Sequence, residues 1–435
     1  MNKQKNALNE IKLRGWEMSR KMTLMNDLIE EISMGPFGSD IKVDSFVSEG
    51  VPVLNGSNIS GVSLTDKFTN FVTIQKATAL KKANAKRGDI VITHRGTLGQ
   101  IAYIPENSKY DRYIISQSQF KVRLKKDLVN PIYFTYYFHT EEGQRRLLSF
   151  KNHVGVPALA QATTNFRLLE FPFIPFESQT QIAKVLSDLD AKIELNNKIN
   201  AELEAMAKLI YDYWFVQFEF PVCNEDGTLS AAEGYKSSGG KMVWNEELKR
   251  VVPEGWEVNE LGNCINVFDS IRVPLSRTER EKIEGDIPYY GATSIMGYVN
   301  DFLFNDDYIL LAEDGSVMDE KGRPIVQFIW GKSWVNNHAH VIQAKNKFNN
   351  EFIYQLVKMI PVVLIKTGSI QMKINQENLK KYKVLIPSLD LIEQYSNKAN
   401  SIRKQLIINI EQNQKLAELR DWLLPMLMNG QVKVK

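Results

Sequence analysis

The chain is written twice, and that doubling restricts its fold more than any other feature of the sequence. Gly-Trp-Glu occurs at residues 15–17 and again at 255–257, each time ahead of a run of short alternating segments. EGVPVLNGSNISG at 49–61 lies on GDIPYYGATSIMG at 285–297, which sets Pro52 on Pro288, Ile59 on Ile295 and Gly61 on Gly297. GDIVITHRG at 88–96 lies on DDYILLAEDG at 306–315, with Asp89 on Asp307. FIP and LIP end at Pro175 and Pro387, and QIAKVLSDLDAKIELNN from Gln181 lies on QYSNKANSIRKQLIINI from Gln394. Five matches in one order exceed chance. The offset shrinks along the chain, which puts the length changes in loops, where they are tolerated. A chain repeated in this way folds as two like units, and 435 residues with 43% hydrophobic content supply a core for each.

Each copy has a β half and a helical half. VPVL, DIVIT, QIAYI and FKVRL in the first copy, and IPYYG, YILLA, PIVQFIW and HVIQA in the second, are short apolar or alternating runs between Gly, Asn, Ser and Pro. A long helix closes each copy. In the first, over about 181–213, Ile182, Leu189, Asn196, Leu203 and Ile210 recur every seven residues, with Val185, Ile199 and Met206 on the adjoining seam. In the second, Tyr395, Ile402, Asn409, Leu416 and Leu423 share that phase, but the other seam holds Lys398, Gln405 and Gln412. Asn196 and Asn409 stand at equivalent positions. Either they fix register from inside a coiled coil, or they are solvated on helices that pack otherwise. Paired antiparallel, helices of this length form a rod of roughly 50 Å, a ruler that suits two short sites on one duplex.

The sequence presents no catalytic centre. NPIY at 130–133 lacks the second proline of an amino-methyltransferase loop, and Asn130 with Pro131 reads as a helix start. GYKSSGGKM at 234–242 misses the phosphate-loop spacing and reads as a polar linker. His338 and His340 share a strand face at i, i+2, but no Cys or His cluster completes a metal shell. Asp314 and Asp319 in AEDGSVMDEK suit a nuclease site, but turn composition explains them at least as well. The two cysteines, Cys223 and Cys264, give neither a disulfide framework nor metal spacing. No signal-peptide pattern opens the sequence and no apolar run approaches the roughly 20 residues of a membrane span, so a soluble cytoplasmic protein is expected.

The net charge is +3, and residues 20–170 carry about 20 Lys and Arg against about 14 Asp and Glu, whereas 256–386 is close to neutral. Loops such as KRGDIVITHRGTLG, SQSQ, KNHVG, NNHAH and KTGSIQMK gather Arg, Lys, Asn, Gln and Ser beside glycines. Such side chains read base edges and hold phosphates, though ordinary polar loops have the same composition.

Two stretches of sequence add a resemblance. YDYWFVQFEFP at 211–221, followed by EDGTLSAAEGYKSSGGKMVW and VVPEGWEV, resembles the central linker of specificity subunits of type I restriction-modification systems. MGPFGSDIK at 34–42, followed by VPVLNGSNI, resembles the opening of a target recognition domain in that family. With the doubled layout and the helices after Pro175 and Pro387, the resemblance covers nearly the whole chain. It implies an α+β protein, with two β-rich target recognition domains separated by two long antiparallel coiled-coil helices in a pseudo-two-fold internal repeat. The divisions follow: an N-terminal segment at 1–20, a first recognition domain at 21–175, a central helical spacer region at 176–220, a linker at 221–250, a second recognition domain at 251–387 and a C-terminal helical spacer region at 388–435.

The resemblance further implies a non-catalytic, sequence-specific reader of double-stranded DNA that takes one half of a bipartite target with each domain. Its partners are two methyltransferase subunits and restriction subunits, and S-adenosylmethionine, ATP and Mg belong to those partners. Two features depart from the family pattern: residues 13–16 lack the Pro253-Glu254 of the second copy, and the second module is nearly neutral. The expected contacts are Ser39, Lys42, Asn55, Asn58, Arg95, Thr97, Gln117 and Lys151 in the first module, and Arg272, Tyr290, Ser294, Arg323, Asn336, Asn337, Ser369, Gln371 and Lys373 in the second. In GPFGSD, Gly35 and Gly38 permit tight turns and Ser39 donates to a phosphate, or the loop is only structural. Two other classes compete with this reading: a DNA methyltransferase or nuclease active by itself, and a protein-binding coiled-coil scaffold.

Overall fold

The computed structural model describes residues 21–36, 40–152, 157–220, 241–345, 347–368 and 372–434. Ser39, Ser369, Gln371, Trp16, Cys223 and most of GYKSSGGKM lie outside the described residues. The chain divides into two compact units, residues 1–195 with 412–435 and residues 196–411. The division therefore falls inside both long helices rather than at their ends.

Each unit is built on a four-stranded antiparallel sheet with the same connections. In the first unit β1 (Ile29–Met34), β2 (Ile90–Thr93), β3 (Ile101–Tyr103) and β4 (Gln119–Leu124) lie in the order β1-β4-β2-β3. In the second, β5 (Ile265–Val267), β6 (Tyr308–Ala312), β7 (Val326–Ile329) and β8 (Ala339–Ala344) lie in the order β5-β8-β6-β7. The repeat extends to single hydrogen bonds. Met25 N donates to Leu169 O where Leu261 N donates to Tyr382 O, and Lys125 N to Leu28 O where Lys345 N donates to Cys264 O. Aromatic and aliphatic side chains form both cores, among them Phe120, Phe134, Phe166 and Phe171 in one and Trp214, Phe352 and Tyr395 in the other.

Sheet register corrects one detail of the sequence match. Ile90 pairs with Val122, and Ile309 holds the matching place opposite Ile342. The strands therefore superpose at an offset of 219 rather than on Asp89 and Asp307, because a one-residue slip would turn every side chain to the other face. The NPIY helix start is confirmed: Asn130 Oδ1 accepts from Ile132 N and Tyr133 N at 2.9 and 3.2 Å, and Pro131 opens helix Pro131–Phe138.

The long helices are α1 (Phe176–Tyr211) and α2 (Leu389–Met428). Within the first unit Arg420 Nη1 meets Asp190 Oδ1 at 2.6 Å, and Ile182 and Leu186 share the core with Leu424, Leu427 and Met428. Within the second, Asn409 Nδ2 donates to Asn200 Oδ1 at 2.8 Å, and Ala207 packs on Ile402 and Leu406. In each unit the numbers rise along one helix as they fall along the other, so the pairing is antiparallel. Asn196 and Asn409 are both buried. The second seam, however, is displaced by one residue. Leu186, Asn200 and Ala207 face the partner helix, while Ile199 and Met206 are exposed; Ala399 and Leu406 are buried where Lys398 and Gln405 face solvent. Spacings of three and four residues both return to one helix face, and here the four-residue step meets the partner.

The repeated tryptophan has a structural use in the second copy. Trp256 packs against Phe215, Phe218 and Phe220 at centroid distances of 6.1, 5.3 and 5.5 Å, which docks the segment leaving α1 onto the second unit. No helix among the described residues is long and apolar enough to cross a membrane.

Candidate nucleic-acid interface

In both units the same four segments meet at one end of the four-stranded sheet: the loop after the first strand, the loop between the second and third, the turn before the last, and a pair of strands from later in the chain. In the first unit Gly35 N donates to Gln119 O at 2.9 Å, and a Cβ on Gly35 would lie 1.9 Å from Ser116 O, so only glycine fits this start of the GPFGSD loop. His94 N donates to Ser118 O at 2.9 Å. The paired strands Lys151–Asn152 and Ala158–Leu159 are stitched on by Leu159 N to His94 O and Gly96 N to Pro157 O, at 2.8 and 3.0 Å, and by a bridge between Arg95 and Ala158. The second unit repeats the plan. Glu313 N donates to His338 O and Ile374 N to Glu313 O, both at 2.8 Å, and Asp314 bridges Lys373 as Arg95 bridges Ala158.

This assembly sorts the expected contact residues. Arg95, Thr97, Gln117 and Lys151 are exposed on the gathered loops of the first unit, and Lys42 is exposed just ahead of the turn Val43–Ser45. Asn337 and Lys373 are exposed on the corresponding loops of the second. Ser294 is exposed in the turn between strands Glu284–Tyr290 and Ile295–Val299, and Arg323 is half-buried in the loop joining β6 to β7.

Four expected contacts are corrected. Asn58 is fully buried and its amide donates to Thr65 O and Lys67 O at 3.1 and 2.6 Å, so it closes a loop. Asn336 is buried and accepts from His338 N at 2.8 Å. Tyr290 is in the core, where burial pushes its phenol up to about 12. Arg272 points inward, donating to Glu313 Oε2 and to Ala339 O, both at 2.6 Å. Asn55 is half-buried and caps the turn Gly56–Ile59, accepting from Ser57 N at 2.9 Å. In Asn55, Asn58, Asn336 and Arg272 a polar side chain satisfies backbone groups of its own unit, whereas Tyr290 is held by apolar packing.

Sequence reading passed over the charged floor of the second interface. His340 Nδ1 lies 2.6 Å from Asp269 Oδ2 and 3.7 Å from Glu313 Oε2, and its Nε2 lies 3.0 Å from Ile374 O. These three side chains are ligand types gathered within 4.8 Å. Their oxygens are already engaged: Asp269 accepts from Val341 N and Gln376 Nε2 at 3.0 and 2.9 Å, and Glu313 from Arg272 and from Lys373 Nζ at 2.6 and 2.9 Å. Arg272 and Lys373 supply the positive charge that a cation would bring, so the group is an ion network rather than a metal shell.

Burial raises the Asp269 and Glu313 carboxyls, but their bonds to His340 and to Arg272 and Lys373 outweigh it and hold both below the ordinary range. The bond to Glu313 lifts the Lys373 ammonium above its ordinary value. In the first unit the place of Glu313 is taken by His94, whose imidazole is pushed down by burial and by neighbouring Arg95. The place of His340 is taken by Phe120. The nuclease reading of Asp314 and Asp319 fails on their partners, since Asp314 meets His338 Nδ1 at 2.6 Å and Asp319 Oδ1 accepts from Lys321 N and Arg323 N at 2.8 Å.

Three comparisons bear on this geometry. A family model described as the type I restriction modification DNA specificity domain matches residues 47–205 and again 253–418. A type I restriction enzyme MjaIX specificity subunit of Methanocaldococcus jannaschii is 26% identical over 369 residues, 80% of this chain and 78% of the relative. A type I restriction enzyme HindI specificity subunit of Haemophilus influenzae is 22% identical over 412 residues, 81% of this chain and 88% of the relative. The crystal structure of a type I restriction-modification S subunit from M. genitalium has a similar fold, with a TM-score of 0.58 at 16% identity, covering 95% of this chain and 98% of the other.

Proposed function

The chain belongs to the type I restriction modification DNA specificity family, and from that premise we propose that it is the non-catalytic subunit that gives such a complex its DNA sequence. Each unit reads one half of a bipartite target in double-stranded DNA. The paired helices set the spacer and recruit two methyltransferase subunits, which bring S-adenosylmethionine, and restriction subunits, which use ATP and Mg. The cytoplasm is the compartment where such a complex meets DNA.

One observation carries this reading: the same four segments converge at the same end of the same sheet in both units, and in both they present exposed cationic and amide side chains. Two copies of one surface suit a target with two halves. Arg95, Gln117 and Asn337 have the donor geometry for base edges, and Lys42, Lys151 and Lys373 suit phosphates. Apolar residues left exposed on the helices, such as Ile199, Met206, Leu209 and Ile408, offer surface for partner subunits.

The test is a comparison of adenine methylation across a genome with and without this gene. The expected result is loss of methylation at one split motif, and methylation unchanged by deletion refutes the reading. A salt series of duplex binding separates it from a scaffold, because phosphate contacts make affinity fall steeply with salt.

A further inference from the structure

Among the described residues, the charged floor of the second interface has no counterpart in the first. Where the first unit places Phe120, packed against Phe166 at 5.3 Å between ring centroids, the second places His340 on the matching residue of the matching strand. His340 is almost fully buried and both of its ring nitrogens face acceptors, Asp269 Oδ2 on one side and Ile374 O on the other. A carbonyl oxygen accepts only, so Nε2 donates to Ile374. Asp269, held ionised by its neighbours, accepts only as well, so Nδ1 donates to Asp269. A neutral imidazole has one N–H and cannot satisfy both.

We propose that His340, carrying a proton on each ring nitrogen, is the positioning residue of the second interface, tying the loop after β5 to the paired strands Lys366–Thr367 and Lys373–Ile374. This rests on the reading of that surface as a DNA half-site reader. Through Asp269 the imidazolium holds the turn from which Arg272 extends, and through Ile374 O it holds the strand pair that carries Lys373. Around the ring stand Asp269, Arg272 and Gln376, Glu313 at the end of β6, and Lys373 on the strand pair; the hydrogen-bonded side chains of Asp314 and His338 lie on the adjacent loops. Two carboxylates against two fixed cations leave the imidazolium to hold together segments that are far apart in sequence. At the matching place in the first unit Phe120 packs against His94 and Phe166, which requires no proton.

The test has two arms. The full chain labelled with 15N-histidine, with His340 assigned by its loss in H340Q, reports whether both ring nitrogens carry protons at neutral pH. The imidazolium signature is expected, and a neutral single-tautomer ring overturns the proposal. In the assembled complex, binding is then measured to duplexes with each half of the target altered in turn. H340F, which installs the residue of the first unit, is expected to lose discrimination at least tenfold for one half and keep it for the other. Asp269→Asn removes the charged acceptor with little change of shape and is expected to act in the same direction should H340F fold poorly. Unchanged discrimination in both variants, or equal loss at both halves, overturns the positioning role. A wild-type complex indifferent to both halves refutes the DNA reading itself, and the proton count at His340 then decides the clasp separately.

Discussion

Among single residues, partners more than residue type decide what a side chain does. Asp269 and Glu313 are held below the ordinary carboxylate range. For a depressed carboxyl the stabilisation is present above the unfolded value and is lost as pH falls through the folded one. In the first unit the buried Asp89 is pushed up instead, because burial outweighs Arg123 and Lys121, although the half-exposed Glu31 is held down by Lys121. Asp89 therefore gains from protonation where Asp269 and Glu313 lose. The segments that Asp269 and Glu313 join are expected to lose protection before strand β2 beside Asp89 as pH drops below about 4, read by hydrogen exchange corrected for intrinsic rate; earlier loss beside Asp89 contradicts this.

A second residue prediction concerns Glu351, buried against helix α2. Arg403 Nη2 meets its Oε2 at 3.2 Å, and the guanidinium lies 4.2 Å from the Phe328 ring centroid. Burial nevertheless pushes the Glu351 carboxyl up. Arg403→Ala strands that carboxyl and is expected to cost about 3–5 kcal/mol in denaturant unfolding. Neither role was legible in the sequence. Asn58, Asn336 and Arg272 looked like contacts because turn and cap residues have the composition of base-reading ones, and only the neighbouring elements turn them inward.

Elements were more legible, because periodicity survives without knowledge of partners. The heptad through Ile182, Asn196 and Ile402 marked both helices and one seam. The other seam was misplaced because Ile199 and Met206 are apolar yet exposed, and steps of three and four residues are equally compatible with a single helix. Antiparallel pairing selects the four-residue step. Leu406→Ala should therefore cost about 2–5 kcal/mol by emptying a buried site. Ile408→Ala, at a residue 55% exposed, should stay within about 0.5 kcal/mol in the isolated chain. Thermal or denaturant midpoints of the two variants check the phase, and a larger effect at Ile408 reverses it. The strands were legible as strands, but their register was not, since short apolar runs slide by one residue without penalty until a sheet fixes the inward face.

At the scale of the whole molecule, the repeat was the most legible feature of all, and it carries the last prediction. On the spacer reading, the gap between half-sequences depends on helix length. Seven residues inserted after Leu195 and seven more after Glu411, where the two compact units divide, preserve the heptad in both helices. Each helix lengthens by about 10.5 Å, or roughly three base pairs at 3.4 Å each. Three base pairs also turn the duplex by about 100°, whereas two heptad turns rotate a coiled coil of about 150 Å pitch by only about 25°. The lengthened protein is therefore expected to prefer a longer spacer at reduced affinity, with both half-sequences unchanged, as read by selection from random duplexes. A four-residue insertion at the same places breaks the heptad phase of both helices, although Asn200 and Asn409 stay paired on one side of it, and is expected to unwind the coiled coil locally rather than give the spacer shift of the seven-residue insertions. An unchanged spacer with the seven-residue insertions, or altered half-sequences, leaves the helices without the proposed role.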